Sequence, residues 1–442
     1  MSHAHTTAER ERLAAIHERW NAYLGRMPRP LRVVRNQAGA LIDDNVILPL
    51  CQIVVDKGRS ALFGEEVGFD VPNDQPRADL AQEWLDQVWE ANRKMTLLQR
   101  VALNGAVAGH AYIRILAGPA YPLPRLVALD PATVAVQHDE DDLDLVLAYT
   151  ISWTVYRGET LVEKQQRMER AGATWTILDY ERQNGEGWVL TNEEAWPYPF
   201  APIADCQNLP APNRYYGLSD LEPATLEMAK AINRTVTNVA RILRFHAHPK
   251  TIAKGVGKAD LRIGVDDVLF LPPDAELTTL EMTNDLSASL GFYERQLSSF
   301  FEGARIPEVS RGKVDSAGAL SGVALRILYQ PLLEKTSDKR RLYGDMLVDF
   351  NRRLLALGGF GDIKYVAVAW PELVPTDPAA DASTALNLKS LGVSTETLLG
   401  RLGFDPEMEA ERSADERAEA YPSPFTPLQG AGPAPFGSPQ AD

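Results

Sequence analysis

The sequence predicts an α+β protein with two or three domains, and three observations carry the prediction. Apolar residues recur at helical spacing over residues 77–108 and again from residue 210 onward. Between those regions the period falls to two, as in half-buried strands. The chain has 442 residues, 45% hydrophobic and 24% charged, enough apolar material for a sizeable core.

The first 25 residues read as a charged surface helix, without the apolar stretch of a signal peptide. Residues 26–40 mix basic residues, prolines and Gly39, an irregular arm. From Asn45 to Leu62 the apolar density predicts a helix, bent or interrupted at Pro49, and FGEEVGFDVP follows as a short extended piece. Leu80, Trp84, Leu85, Val88 and Trp89 mark one helix. Leu97, Leu98, Val101, Ala102 and Leu103 mark the next, ending near Gly105 and Gly109. HAYIRIL, RLVALD, TVAVQH, LVLAYTISWTVY and TWTILDYE then read as strands of an antiparallel or mixed sheet, with DEDDLD and QNGEG as turns.

Helical spacing returns with a Gly turn and a Ser/Asp cap at 217–220. Leu226, Ala229, Val236, Ala240 and Leu243 share one face, and a His-Pro step at 248–249 ends that helix. Leu286, Leu290, Tyr293, Leu297 and Phe300 mark a second helix. A third, from about 319 to 357, would be the longest, with a kink at Pro331. DIKYVAVAW reads as a strand, 378–416 as a short helical region, and the Pro/Gly-rich tail, with six prolines in its last 22 residues, as disordered.

The chemistry-bearing motifs fall short of catalytic sites. GVGKA at 255–259 lacks the first glycine of a phosphate-binding loop, and Ala259 stands where Ser or Thr would reach magnesium. His246 and His248 have no third ligand nearby for a metal. The carboxylates of 139–144 lack the glycine and terminal glutamate of a calcium loop and fit a solvated hairpin turn better. Cys51 and Cys206 read as reduced structural thiols. No cofactor or metal is expected. No run of 18 apolar residues suggests a membrane span. The formal net charge of −15 argues against tight gripping of nucleic acid, which rewards a basic surface. It is compatible with loosely surrounding DNA.

One ordered series of segments resembles a known family. It comprises NVILPLCQIVVDKGRSALFGEEVGF, VALNGAVAGHAYIRI, YYGLSDLEPATLEMAKAINRT, HPKTIAKG and GFYERQLSSFFEGARIPEVSRGKVDSAGALSGVAL. Across residues 40–375 the series resembles the portal proteins of tailed bacteriophages, in their siphophage-type branch.

That resemblance implies a portal fold, with domains mapped in order along the chain. An N-terminal helix (1–25) precedes the first part of the wing (26–215) and the first stem helix (216–246). The clip (247–280) leads into the second stem helix (281–305) and a channel loop (306–322). The rest of the wing (323–377), a short crown (378–416) and the tail (417–442) follow. It implies a non-enzymatic ring of identical subunits, usually twelve, at one capsid vertex in the virion, assembled in the host cytoplasm.

Double-stranded DNA would pass through the ring. The terminase large subunit, the major capsid and scaffolding proteins and a head–tail connector or adaptor would be its partners, with no membrane. Arg311, Lys313, Asp315 and Ser316 would line the channel loop near DNA. Glu227, Lys230, Arg234 and Arg241 would form the polar face of the stem, opposite Leu226 and Val236. Lys250, Lys254 and Lys258 would meet the motor or connector. Two other readings remain open at this stage: an acidic metal-dependent α+β enzyme using residues 139–144, and a different phage structural part such as a capsid or adaptor protein.

Overall fold

The computed structural model describes residues 7–35, 40–118, 120–247, 250–254, 276–280, 287–307, 322–373, 378–401 and a few positions from 404 to 413. These fall into two compact units, residues 1–373 and 374–442.

The first unit opens with helix α1 (Thr7–Tyr23) and a minimal hairpin of β1 (Val34–Arg35) and β2 (Leu41–Ile42). Helix α2 (Leu50–Phe63) starts after Pro49, so the expected interruption is absent. The ring sits ahead of the first turn, where its missing N–H leaves no bond unmade. Strand β3 (Gly68–Asp70), helix α3 (Ala78–Ala91) and helix α4 (Lys94–Ala108) follow. Next come β4 (His110–Leu116), β5 (Arg125–Ala128), a 3₁₀ turn at Pro131–Thr133, and β6 (Val134–His138).

Four long strands continue the sheet region: β7 (Val146–Arg157), β8 (Thr160–Ala171), β9 (Thr174–Gln183) and β10 (Val189–Trp196). Then comes the shorter β11 (Ile203–Gln207). All pairings are antiparallel. One sheet has the order β10-β9-β8-β7-β6 and the other β11-β4-β5. Strands β8 and β10 go beyond the sequence expectation. TLVEKQQRMERA in β8 is charged and lacks a β-branched run, yet it lies between β7 and β9 and pairs along its whole length. Its alternation is real: Val162, Gln166 and Met168 are buried on one face, while Glu163 on the other pairs with Arg182 across the strands.

After the second sheet, α5 (Pro223–Ala247) leads to the strand pair β12 (Lys250–Lys254) and β13 (Glu276–Leu280), and α6 (Ser287–Gly303) returns. Leu226, Ala229 and Ile232 from the start of α5 share a core cluster with Phe300 and Phe301 from the end of α6. The two helices are therefore antiparallel neighbours. Helix α7 (Gly322–Leu357) has 36 residues, about 54 Å at the α-helical rise, and runs through Pro331 without ending there. Strand β14 (Ala367–Ala369) pairs with β3. The second unit contains α8 (Pro378–Ser390) and α9 (Thr395–Arg401), as expected of a short helical region.

Helix α7 organises the main core. Tyr343, Leu347, Phe350, Leu354 and Leu355 are fully buried against α2, α3, α4 and the three-stranded sheet. Trp89 Nε1 donates to Asn351 Oδ1 at 2.8 Å and Trp84 Nε1 to the Leu354 carbonyl at 3.2 Å. Their indole donors are thus satisfied inside the apolar cluster. Gly105 lets α4 approach α7 closely, because a Cβ there would collide with the Tyr343 hydroxyl and lie 3.2 Å from Ala111 Cβ. A Gly105→Ala variant should therefore lose about 1–3 kcal/mol by overpacking. Urea unfolding followed by circular dichroism should show the lower midpoint.

Candidate functional site

The segment that opens α5 is tied down from several directions. Ser219 Oγ donates to the carbonyls of Ala106 and Val107, both at 2.8 Å, and accepts from the Leu221 N–H at 2.9 Å. Glu222 Oε1 accepts the Ser219 N–H at 2.9 Å, so a side-chain-closed turn over 219–222 leads directly into Pro223, the first residue of α5. From α1, Arg19 donates to the carbonyls of Leu221 and Ala108 and pairs with Glu222 at 3.0 Å.

Asp220, expected to share in a helix cap, is turned inward instead. Its carboxylate is completely buried and meets two lysines of α7: Lys339 Nζ at 2.7 Å from Oδ2 and Lys335 Nζ at 3.3 Å from Oδ1. Those lysine side chains are only 2% and 7% exposed. Asn208 Nδ2 adds a bond to Oδ1 at 3.3 Å, and Tyr343 Oη donates to Asn208 Oδ1 at 3.4 Å. Lys335 also donates to the Ala304 carbonyl at the end of α6, at 3.3 Å. Gly58 of α2 leaves the space: a Cβ there would lie 2.8 Å from Asp220 Oδ2.

Burial opposes ionisation of Asp220, but Lys335 and Lys339 outweigh it and hold its carboxyl below the ordinary range. Burial, aided by Lys335 and opposed by Asp220, pushes the Lys339 ammonium down to about 8. One carboxylate thus joins the entry to α5, the end of α6, the turn after β11 and the middle of α7.

A second buried carboxylate sits in the sheet region. Asp205 accepts from His110 Nε2 at 2.7 Å, from Tyr149 Oη at 2.5 Å and from Tyr215 Oη. Burial works against its charge, and His110 and the two hydroxyls more than offset that. Burial likewise raises Tyr149 and Tyr215 well above the usual phenol range. The group borders a half-open cavity of about 580 Å³, walled by Trp175 and Phe200 on one side and by Met346 and Arg353 of α7 on another.

The four residues expected on a polar face of the α5 helix divide three ways. Arg234 is exposed. Lys230 bridges Glu227 at 2.7 Å and Glu18 of α1 at 2.9 Å. Arg241 is turned inward, bonding Asp44 at 2.6 Å and the Arg32 carbonyl at 3.1 Å. Arg244 joins it on Asp44 at 3.1 Å. The arm continues along the helix: Asn233 Oδ1 accepts the Leu48 N–H at 2.9 Å and Thr237 Oγ1 the Val46 N–H at 3.1 Å. The chain's own arm therefore covers part of the expected face.

Lys250 and Lys254 are the first and last residues of β12, with Lys254 exposed. Lys258, Arg311, Lys313, Asp315 and Ser316 lie outside the described residues. The 139–144 carboxylates make the β6–β7 turn, where Asp139 and Asp142 accept the N–H groups of Asp141 and Asp144 at 2.9 and 3.0 Å. Cys51 and Cys206 are free and buried.

A family model described as phage portal protein, SPP1 Gp6-like, matches residues 12–423. The chain belongs to this family of phage portal proteins. The portal fold agrees with solved structures. A chain in the virion of a native gene transfer agent particle is 15% identical, with a TM-score of 0.51 over 81% of this chain and 91% of that one. A chain in the neck of an empty gene transfer agent particle gives the same identity, TM-score and coverage. No curated protein matches the portal chain. The family is structural, and the site that organises this portal is a junction of helices.

Two results are expected at that junction. Asp220→Ala leaves two lysines buried without their counter-charge and should cost about 3–5 kcal/mol in chemical denaturation. The unfolded chain keeps the Lys339 proton to about pH 10.5, whereas the folded chain releases it near 8. Between those values the unfolded state binds more protons, so this group makes stability rise with pH. Comparison of wild type with Lys339→Met from pH 8 to 10 should show the variant losing that rise, on the order of 3 kcal/mol.

Proposed function

We propose that this portal assembles into a closed ring of twelve at one capsid vertex and conducts double-stranded DNA during packaging and ejection. The observation that carries the reading is the antiparallel pair α5–α6. It is bridged at one end by the β12–β13 pair and anchored at the other to α7 through Asp220. In this reading α5 and α6 are the stem, β12 and β13 belong to the clip, and α7 with the two larger sheets forms the wing. Helices α8 and α9 form the crown. The loop between α6 and α7 lines the channel, with Arg311, Lys313, Asp315 and Ser316 nearest DNA.

An acidic chain suits passage better than grip. With net charge −15, the chain as a whole repels phosphates, and contacts stay few and salt-sensitive. Lys250, Lys254 and Lys258 are local exceptions at the clip, and we assign them to docking of the terminase large subunit and then of the head–tail connector. The wing and crown would meet the capsid and scaffolding proteins during assembly in the host cytoplasm. Nucleotide hydrolysis belongs to the motor in this scheme.

Negative-stain micrographs of purified protein should show closed rings with a central hole. A chain that stays monomeric at high concentration would refute the assignment. Combined Lys250→Glu, Lys254→Glu and Lys258→Glu changes should weaken motor docking in a pull-down by at least about tenfold while rings persist.

A further inference from the structure

The five-stranded sheet has two unlike ends. At one end lie the β6–β7 and β8–β9 turns and the 580 Å³ cavity, whose wall includes Val146, Arg170 and Trp175. At the other end, ten residues along β7, the β7–β8 hairpin closes around Gly158. That tip carries Tyr156, 77% exposed, and Leu161, 41% exposed. The two are cross-strand partners and so stand on the same face. On the same face the next row, Thr154 and Glu163, is polar, with Glu163 paired to Arg182 of β9, and Lys164 pairs with Glu181 on the opposite face. An exposed tyrosine–leucine pair among satisfied charges is an apolar protrusion with no partner among the described residues.

The cavity is its chemical complement. Trp175 and Phe200 supply ring faces and Met346 a polarisable thioether, while Arg353 and His110 make the wall partly polar. Both of these polar side chains keep one nitrogen unpaired among the described residues, Arg353 Nε and His110 Nδ1. A tyrosine matches such a wall, apolar along its ring and polar at its tip. The volume also exceeds what one phenol occupies, leaving room for the leucine beside it.

A protrusion at one end of an element and a recess at the other cannot satisfy each other within one chain. They can do so head to tail, the contact type that generates a cyclic ring. We propose that the β7–β8 hairpin of one subunit seats in the sheet-end cavity of the next, with Tyr156 as the inserted side chain. This rests on the ring reading above and adds the contact that closes it. The contact requires the strands to run along the circumference, with a subunit repeat close to the ten-residue rise from Val146 to Tyr156, about 34 Å. In a ring of twelve that repeat places the contact about 65 Å from the axis, far outside a DNA-sized bore.

The test uses full-length protein with Tyr156→p-benzoylphenylalanine, irradiated as rings verified by electron microscopy. The expected result is an intersubunit adduct that peptide mass spectrometry maps to Met346, Leu342 or Phe200. Adducts elsewhere, or none in intact rings, overturn the contact and leave the ring standing. Absence of rings in the wild type removes both proposals. In parallel, Tyr156→Ala should raise the concentration at which rings dissociate at least about tenfold, read by mass photometry. Its monomer melting temperature should be unchanged, because the side chain is exposed. Unaltered ring dissociation counts against the proposal.

Discussion

A carboxylate sealed from water needs its counter-charges fixed in place, and Asp220 imposes that demand on much of the first unit. Two lysines one turn apart on α7 answer it, and a buried Asn208 completes the ring of donors. The combination has a net positive charge in a low-dielectric setting, and the depressed ammonium of Lys339 expresses that cost. An apolar cluster of the same volume would hold the helices as well. The ionic one does something packing does less well: it penalises any register of α7 in which a lysine leaves the carboxylate. The entry to α5, the end of α6 and the middle of α7 are thereby held to one arrangement.

The sequence made much of this architecture legible because its signals are local. The helix spacing of α3, α4, α5 and α6, the turn at 139–144 and the break after α5 all follow from short-range patterns. Where reading failed, the deciding partner was distant. Lys335 and Lys339 look like ordinary surface cations until the stripe Leu332, Thr336, Tyr343, Leu347 and Phe350 is drawn, and Lys339 then falls at a core position. Ser-Asp just before a helical pattern reads as a cap. Here the serine ties the approach to α5 onto the carbonyls of Ala106 and Val107, and the aspartate serves a contact 119 residues away. Strand β8 was hidden for a related reason: cross-strand ion pairs and two apolar positions support a pleat that its composition does not favour.

Arg241 shows how a helix face can be polar without being available. Its guanidinium holds Asp44 below the usual carboxylate range, and Asn233 and Thr237 take up the backbone of residues 46 and 48. The arm between α1 and α2 thus substitutes for a neighbour along one side of α5, leaving Glu227 and Arg234 as the exposed members of the predicted set. Periodicity alone reports which side of a helix is polar. It does not report whether that side faces solvent, another subunit or the chain's own arm.

The separation in sequence between Asp220 and Lys339 has a consequence in time. At translation rates of about 5–20 residues per second, the aspartate leaves the ribosome roughly 6–24 s before its lysine. Until then the nascent chain holds an uncompensated acid at the mouth of its first long hairpin of helices. Pairing of that acid with α7 must wait for the final quarter of synthesis, when both lysines are made.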